Sequence, residues 1–230
     1  MARLDRLEVQ IAPSQHVTAI SYTAAAGRRA GATLILGHGA GAGQTSRFMV
    51  SFATALAERG IDTVTFNFLY TEHGRRVPDR NPGLEHCWRA VAKTVRERMT
   101  SGAKLAIGGK SMGGRIASQI AAVGGVGELA GLVFLGYPLH PAGRPDRPRA
   151  AHLPAVKAPM LFVQGSRDAF GTPAELEAII AQLDTPAELF AVEGGDHSFN
   201  VPKNAPLAQA DVFRAVQDKI ETWLRTVVHR

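Results

Sequence analysis

The chain has 230 residues, enough to bury a large core, and its 45% hydrophobic content with a near-neutral mean hydropathy fits a globular rather than a disordered chain. Its single cysteine, Cys87, excludes an internal disulfide framework and suits a reducing compartment, so a cytoplasmic setting is expected. The net charge of +6 comes from scattered arginines with no aromatic residues interleaved, so the basic balance reads as solvated surface and no nucleic-acid partner is expected.

The N-terminus, Met-Ala-Arg-Leu-Asp-Arg-Leu-Glu, carries charges where an export signal needs an apolar stretch. The longest stretch low in charge, 116–138, is broken by Glu128 and several glycines, so no membrane span is expected.

In chain order, 7–12 and 17–23 read as strands, a hairpin at a sheet edge. The continuous apolar run 32–36 is what a strand covered on both faces requires. Helical spacing of Phe48, Phe52 and Leu56 marks a helix over 46–59, ended by Gly60. A β-branched and aromatic strand covers 61–68, a loop 70–83, and a helix 84–99. Strand 105–108 leads through Gly109-Lys110-Ser111-Met112-Gly113 into a helix over 112–123. Strands at 132–135, 160–164 and 187–192 follow, with helices at 173–183 and 208–228. Between them, 137–159 is an irregular connection with six prolines. Strands alternating with helices imply right-handed crossovers, a mostly parallel doubly wound sheet and three α/β/α layers. No repeat or linker interrupts the pattern, so 1–230 is expected to form one domain.

An open parallel sheet binds ligands beyond the carboxyl ends of its strands. Three residues with nucleophilic or acid–base chemistry stand there. Ser111 follows strand 105–108, Asp168 follows 160–164, and His197 follows 187–192. A serine hydroxyl needs a base to take its proton as it attacks. An imidazole, with an ordinary pKa of roughly 6.5, suits that task, and an aspartate on the other ring nitrogen fixes the tautomer and steadies the imidazolium. The oxyanion formed by attack needs donors. The Met112 N–H at a helix start supplies one, and the glycine-rich loop after strand 32–36, through the Ala40 N–H, supplies the second.

Competing readings fail on particular residues. Asp196 is a rival acid, but a neighbour in sequence seldom reaches the adjacent ring. His38 reads as structural within its own loop, and Cys87 as a packed thiol. Gly37-x-Gly39-x-x-Ala42 resembles a dinucleotide fingerprint, yet the next strand ends Phe66-Asn67-Phe68, with no acid for a ribose. Gly109-Lys110-Ser111 resembles a P-loop tail, but position 104 is Lys104. His73 and His86 have no metal-ligand spacing, and neither a metal nor a cofactor is expected.

The chain resembles the α/β-hydrolase superfamily over nearly its whole length. More narrowly it is similar to a small dienelactone-hydrolase-like branch that includes bacterial hydrolases and eukaryotic testis-expressed proteins. The residues that carry this are Gly37-His38-Gly39-Ala40-Gly41, Phe66-Asn67-Phe68-x-Tyr70-x-Glu72, Gly109-Lys110-Ser111-Met112-Gly113-Gly114, Gly136-Tyr137-Pro138-Leu139-His140-Pro141, Gly165-x-Arg167-Asp168-x-Phe170-Gly171 and Gly195-Asp196-His197-Ser198-Phe199. The nucleophile, acid and base order Ser111, Asp168, His197 is that of the superfamily. The resemblance implies an α/β-hydrolase fold with little or no cap domain, and Ser111 as nucleophile, Asp168 as acid and His197 as base. Dienelactone hydrolases proper use a cysteine nucleophile, so Ser111 departs from them, and some members of the branch serve as subunits of larger complexes.

The expected activity is therefore hydrolysis of a small carboxylic ester, thioester or lactone by a monomer or homodimer. The alternative is an idle hydrolase fold used as a binding or scaffold module. The connection 137–159 is expected to form a stiff flap over an open site, bordered by Arg144, Arg147 and Arg149, which would favour an anionic acyl group.

Overall fold

The computed structural model describes residues 3–229. Eight strands form one sheet: β1 (Arg3–Ala12), β2 (Gln15–Thr23), β3 (Ala32–Gly37), β4 (Asp62–Phe66), β5 (Lys104–Lys110), β6 (Gly131–Leu135), β7 (Met160–Gly165) and β8 (Ala187–Val192). Their order is β1-β2-β4-β3-β5-β6-β7-β8. β1 and β2 are an antiparallel edge hairpin and β2 meets β4 antiparallel, while every other pairing is parallel. The helices are α1 (Arg47–Glu58), α2 (Leu69–Glu72), α3 (Asn81–Arg98), α4 (Met112–Val123), α5 (Pro173–Ile180) and α6 (Gln209–Val228).

The central strands are apolar on both faces because both faces are covered, and their alternation divides the core in two. Ile35, Leu105, Ile107, Leu132, Phe134 and Phe162 point to the side packed by α3, α4 and α5. Leu34, Leu36, Ala106, Val133, Leu135 and Val163 point to the side packed by α1 and α6. The α3 stripe Leu84, Cys87, Trp88, Val91 and Val95 repeats at helical spacing and is buried throughout. Each such large side chain contributes roughly 1.5–3 kcal/mol by leaving water.

Several boundaries differ from the sequence expectation, β1 for instance starting at Arg3 rather than 7 and β5 running to Lys110 rather than 108. A single turn, α2, sits inside the expected 70–83 loop, held by Glu72, which accepts hydrogen bonds from the Thr18 N–H at 3.2 Å and from Asn67 Nδ2 at 3.0 Å. α3 starts at Asn81 rather than 84, since Pro82 falls in the first turn, where its missing N–H costs nothing. β4 ends at Phe66, because Phe68 gives its N–H to His38 instead of to a strand. α5 ends at Ile180, three residues before the expected limit.

The strand order makes the chain step from β3 to β4 on one side and then return to β5 on the other. The loops after β3 and β5 therefore diverge at a topological switch point and leave a crevice between them. Among the described residues no helix is long and apolar enough to cross a membrane.

The connection from β6 to β7 holds one 3₁₀ turn, Leu153–Ala155, and no α-helix, so no helical cap stands above the sheet. It is fastened down rather than loose. Tyr137, Leu139, Leu153 and Val156 are buried, and the Tyr137 hydroxyl donates to the Arg149 carbonyl at 3.0 Å.

Candidate active site

Ser111 stands between β5 and α4 at φ 51° and ψ −117°, a conformation that costs an ordinary residue on the order of 1–3 kcal/mol. The surroundings enforce it. The Ser111 N–H donates to the Leu135 carbonyl of the next strand at 3.1 Å. Gly113 brings the first turn of α4 against β3, where a Cβ would lie 2.8 Å from the His38 carbonyl oxygen and closer still to that of Gly37. The small residues of the Gly-x-Ser-x-Gly turn are thus a packing requirement between two strands and a helix.

The side chains expected from three strand ends meet here. His197 Nε2 lies 2.8 Å from Ser111 Oγ, and His197 Nδ1 lies 2.6 Å from Asp168 Oδ2. With the Nδ1 proton donated to the carboxylate, Nε2 is free to accept the serine proton. Asp168 is buried, and its other oxygen accepts the Phe170 N–H at 2.8 Å. Asp196 does not compete. Its carboxylate accepts the N–H groups of Ser198 at 2.7 Å and Asn200 at 2.9 Å and so shapes the turn that carries His197. Burial would raise the Asp196 pKa, but these hydrogen bonds, with Lys110 nearby, hold it below the usual carboxylate range. Two residues after His197, Phe199 keeps a left-handed φ of 64° because its ring is fully buried, facing Phe48 with ring centroids 6.0 Å apart.

The loop after β3 faces the serine across the crevice. Ala40 and Met112 both line the cavity above Ser111, and among the described residues neither N–H has an internal acceptor. His38 braces this loop. It is buried, its Nδ1 lies 2.8 Å from the Gly39 carbonyl, and its Nε2 accepts the Phe68 N–H at 3.3 Å. Burial pulls its pKa down to about 4, so the ring is a neutral strut. Gln44 and Asn67 add a second brace, the Gln44 N–H donating to Asn67 Oδ1 at 3.0 Å. Burial pushes the Cys87 thiol up to about 12, which leaves it protonated and unreactive.

Four residues of the site went unassigned on sequence. Gln164, buried at the end of β7, donates from Nε2 to Asp168 Oδ2 at 2.8 Å and to the Gly171 carbonyl at 2.7 Å. Its signal was a lone amide ending an apolar run. Lys110, the residue just before the serine, is buried and donates from Nζ to the His197 carbonyl at 2.6 Å, tying the histidine loop to the elbow. Burial draws its pKa down to about 8 against the opposing pull of Asp168 and Asp196. Phe170 lays its ring against His197, with centroids 4.5 Å apart. Arg115, one turn beyond Ser111, lines the cavity with Arg149. Only this last member of the expected arginine trio borders the site. Arg144 instead pairs with Asp146 at 3.0 Å, and Arg147 lies 3.8 Å from the same carboxylate, both outside the cavity.

The cavity over Ser111 has a volume of about 570 Å³ and opens broadly to solvent. Phe48, Met49, Leu84 and Phe170 give it apolar walls.

The chain is similar in fold to several solved structures. An α/β serine hydrolase without lid from Xanthomonas campestris is 22% identical with a TM-score of 0.74, covering 96% of this chain and 95% of that one. A dienelactone hydrolase from Anabaena variabilis is 21% identical with a TM-score of 0.74, covering 96% of each chain. The esterase domain of a Rhodothermus marinus protein is 12% identical with a TM-score of 0.72, covering 98% of this chain and 99% of that one. These likenesses establish a shared architecture. The sequence itself matches the alpha/beta hydrolase domain family over residues 30–225, and to that family the chain belongs.

Proposed function

We propose that the protein is a serine hydrolase that cleaves small carboxylic esters, thioesters or lactones through an acyl-enzyme on Ser111. The observation that carries this reading is the hydrogen-bonded line from Asp168 through His197 to Ser111 beneath an open cavity.

His197 Nε2 takes the hydroxyl proton as Ser111 Oγ attacks the substrate carbonyl carbon. The negative charge that moves onto the carbonyl oxygen is met by the N–H groups of Ala40 and Met112, the latter at the positive end of α4. Asp168 stabilises the imidazolium, which then gives its proton to the leaving alcohol or thiol as the carbon–oxygen or carbon–sulfur bond breaks. Water, deprotonated by the same histidine, attacks the acyl-enzyme and releases the acid. Gln164 and Lys110 act as positioning residues, one on the carboxylate and one on the histidine loop.

With no helical cap, little apolar surface is on hand to enclose a long chain. A series of p-nitrophenyl esters of rising acyl length tests the substrate class. Turnover is expected to gain nothing beyond butyryl, since methylenes that stay in water on binding forgo the roughly 0.8 kcal/mol each that burial would supply. A maximum at the long chains would overturn the small-ester assignment.

A further inference from the structure

Two guanidinium groups in the wall of the Ser111 cavity, those of Arg115 and Arg149, make no ion pair among the described residues. Arg115 follows Ser111 by one turn of α4, which sets both side chains on one face of the helix. It is half-buried, and its one internal side-chain partner among the described residues is the neutral Asn81 Oδ1, at 3.4 Å. Arg149 reaches the same cavity from the 137–159 connection. Its backbone is pinned at both ends, the N–H to the Leu139 carbonyl at 2.6 Å and the carbonyl to the Tyr137 hydroxyl at 3.0 Å. Among the described residues its guanidinium has no acceptor.

The other charges lining the cavity are committed. Asp79, the one acidic residue in the wall among the described residues, is engaged by Arg75 at 2.6 Å. The Lys110 ammonium is spent on the His197 carbonyl. Burial first, and then the nearby Arg149 charge, act against the charged form of Arg115 and lower its pKa, outweighing the opposing pull of Tyr137 and Glu85. Two like charges held together at a cavity wall are a cost that a bound anion relieves. A guanidinium fork also matches a carboxylate in shape.

We propose that Arg115 and Arg149 form a carboxylate subsite, so that the preferred substrate is an ester bearing a second, free carboxylate. This rests on the serine-hydrolase reading above and deepens it. The subsite lies beside the nucleophile and takes no part in bond breaking. It holds one end of the substrate while Ser111 attacks the other.

The test compares each acid with its neutral methyl ester. Mono-p-nitrophenyl adipate places the carboxylate on the acyl side, and 4-(butyryloxy)benzoate places it on the leaving group. In at least one pair the acid is expected to have the higher kcat/KM. That acid-to-ester ratio is expected to fall about tenfold in Arg115→Gln and in Arg149→Gln, as loss of one charge-assisted hydrogen bond implies. The ratio is internal to each variant and so is insensitive to the folded fraction. Should Arg115→Gln not fold, Arg149→Gln, on the surface, carries the test. Arg144→Gln, outside the cavity, is expected to leave the ratio unchanged. No preference for either acid, or an equal fall in Arg144→Gln, overturns the subsite. Turnover of the neutral esters without acid preference would remove this inference and leave the hydrolase reading standing. No turnover of any ester would remove both.

Discussion

Replacing Ser111 by alanine is expected to lower kcat/KM for p-nitrophenyl butyrate by roughly 10⁴- to 10⁶-fold, the range in which loss of an activated nucleophile falls. The deletion removes one oxygen whose side-chain partner is His197 Nε2 at 2.8 Å. The elbow itself is fixed by backbone contacts, the Ser111 N–H to Leu135 and the close packing of Gly113 on β3, so the fold should survive. Thermal unfolding of the variant should therefore match the wild type while ester turnover vanishes. Residual rate above the uncatalysed reaction would come from the Ala40 and Met112 donors acting on bound ester. A variant that keeps a tenth of the activity would remove Ser111 from the mechanism.

Asp168→Asn is the second large effect, a loss of about 10⁴-fold in kcat with substrate binding little changed. Asp168 Oδ2 accepts from His197 Nδ1 at 2.6 Å and from Gln164 Nε2 at 2.8 Å, and Oδ1 accepts the Phe170 N–H at 2.8 Å. An asparagine must place its NH₂ at one of these oxygens, so in either orientation a donor faces a donor. The imidazole then loses its counter-charge and, where the NH₂ faces it, its fixed tautomer as well. Folding stability should fall as well, by about 1–3 kcal/mol for the buried group left unpaired. Steady-state kinetics and urea unfolding read the two effects separately. A near-normal kcat in Asp168→Asn would show that the carboxylate does not orient His197.

Much of this was legible in the sequence because a strand buried on both faces is a continuous apolar run, and the residue after such a run sits at the sheet edge where ligands bind. Ser111, Asp168 and His197 were found that way, and the structure brings them within hydrogen-bonding reach of one another. α2 was not legible, since one turn is too short for periodicity and is held by Glu72 bonding Thr18, 54 residues away in sequence. The expected 70–83 loop took in Pro82, though a proline in the first turn begins a helix as readily as it ends one. Arg115 stood at i+4 from the nucleophile, a spacing the sequence displayed. That it lacks a carboxylate partner depends on the 137–159 connection, whose path no local pattern encodes. The same path separates Arg149 from Arg144 and Arg147, which sequence proximity alone had grouped together.

The central claim is that Ser111 is a nucleophile made reactive by His197. The most direct measurement is mass spectrometry of the intact folded protein after exposure to a fluorophosphonate near neutral pH, followed by mapping of the adduct. A single phosphonyl group is expected to add, carried on the peptide containing Ser111 and absent from Ser111→Ala. Folded wild-type protein that stays unlabelled, or labelling that persists undiminished in Ser111→Ala, would contradict it.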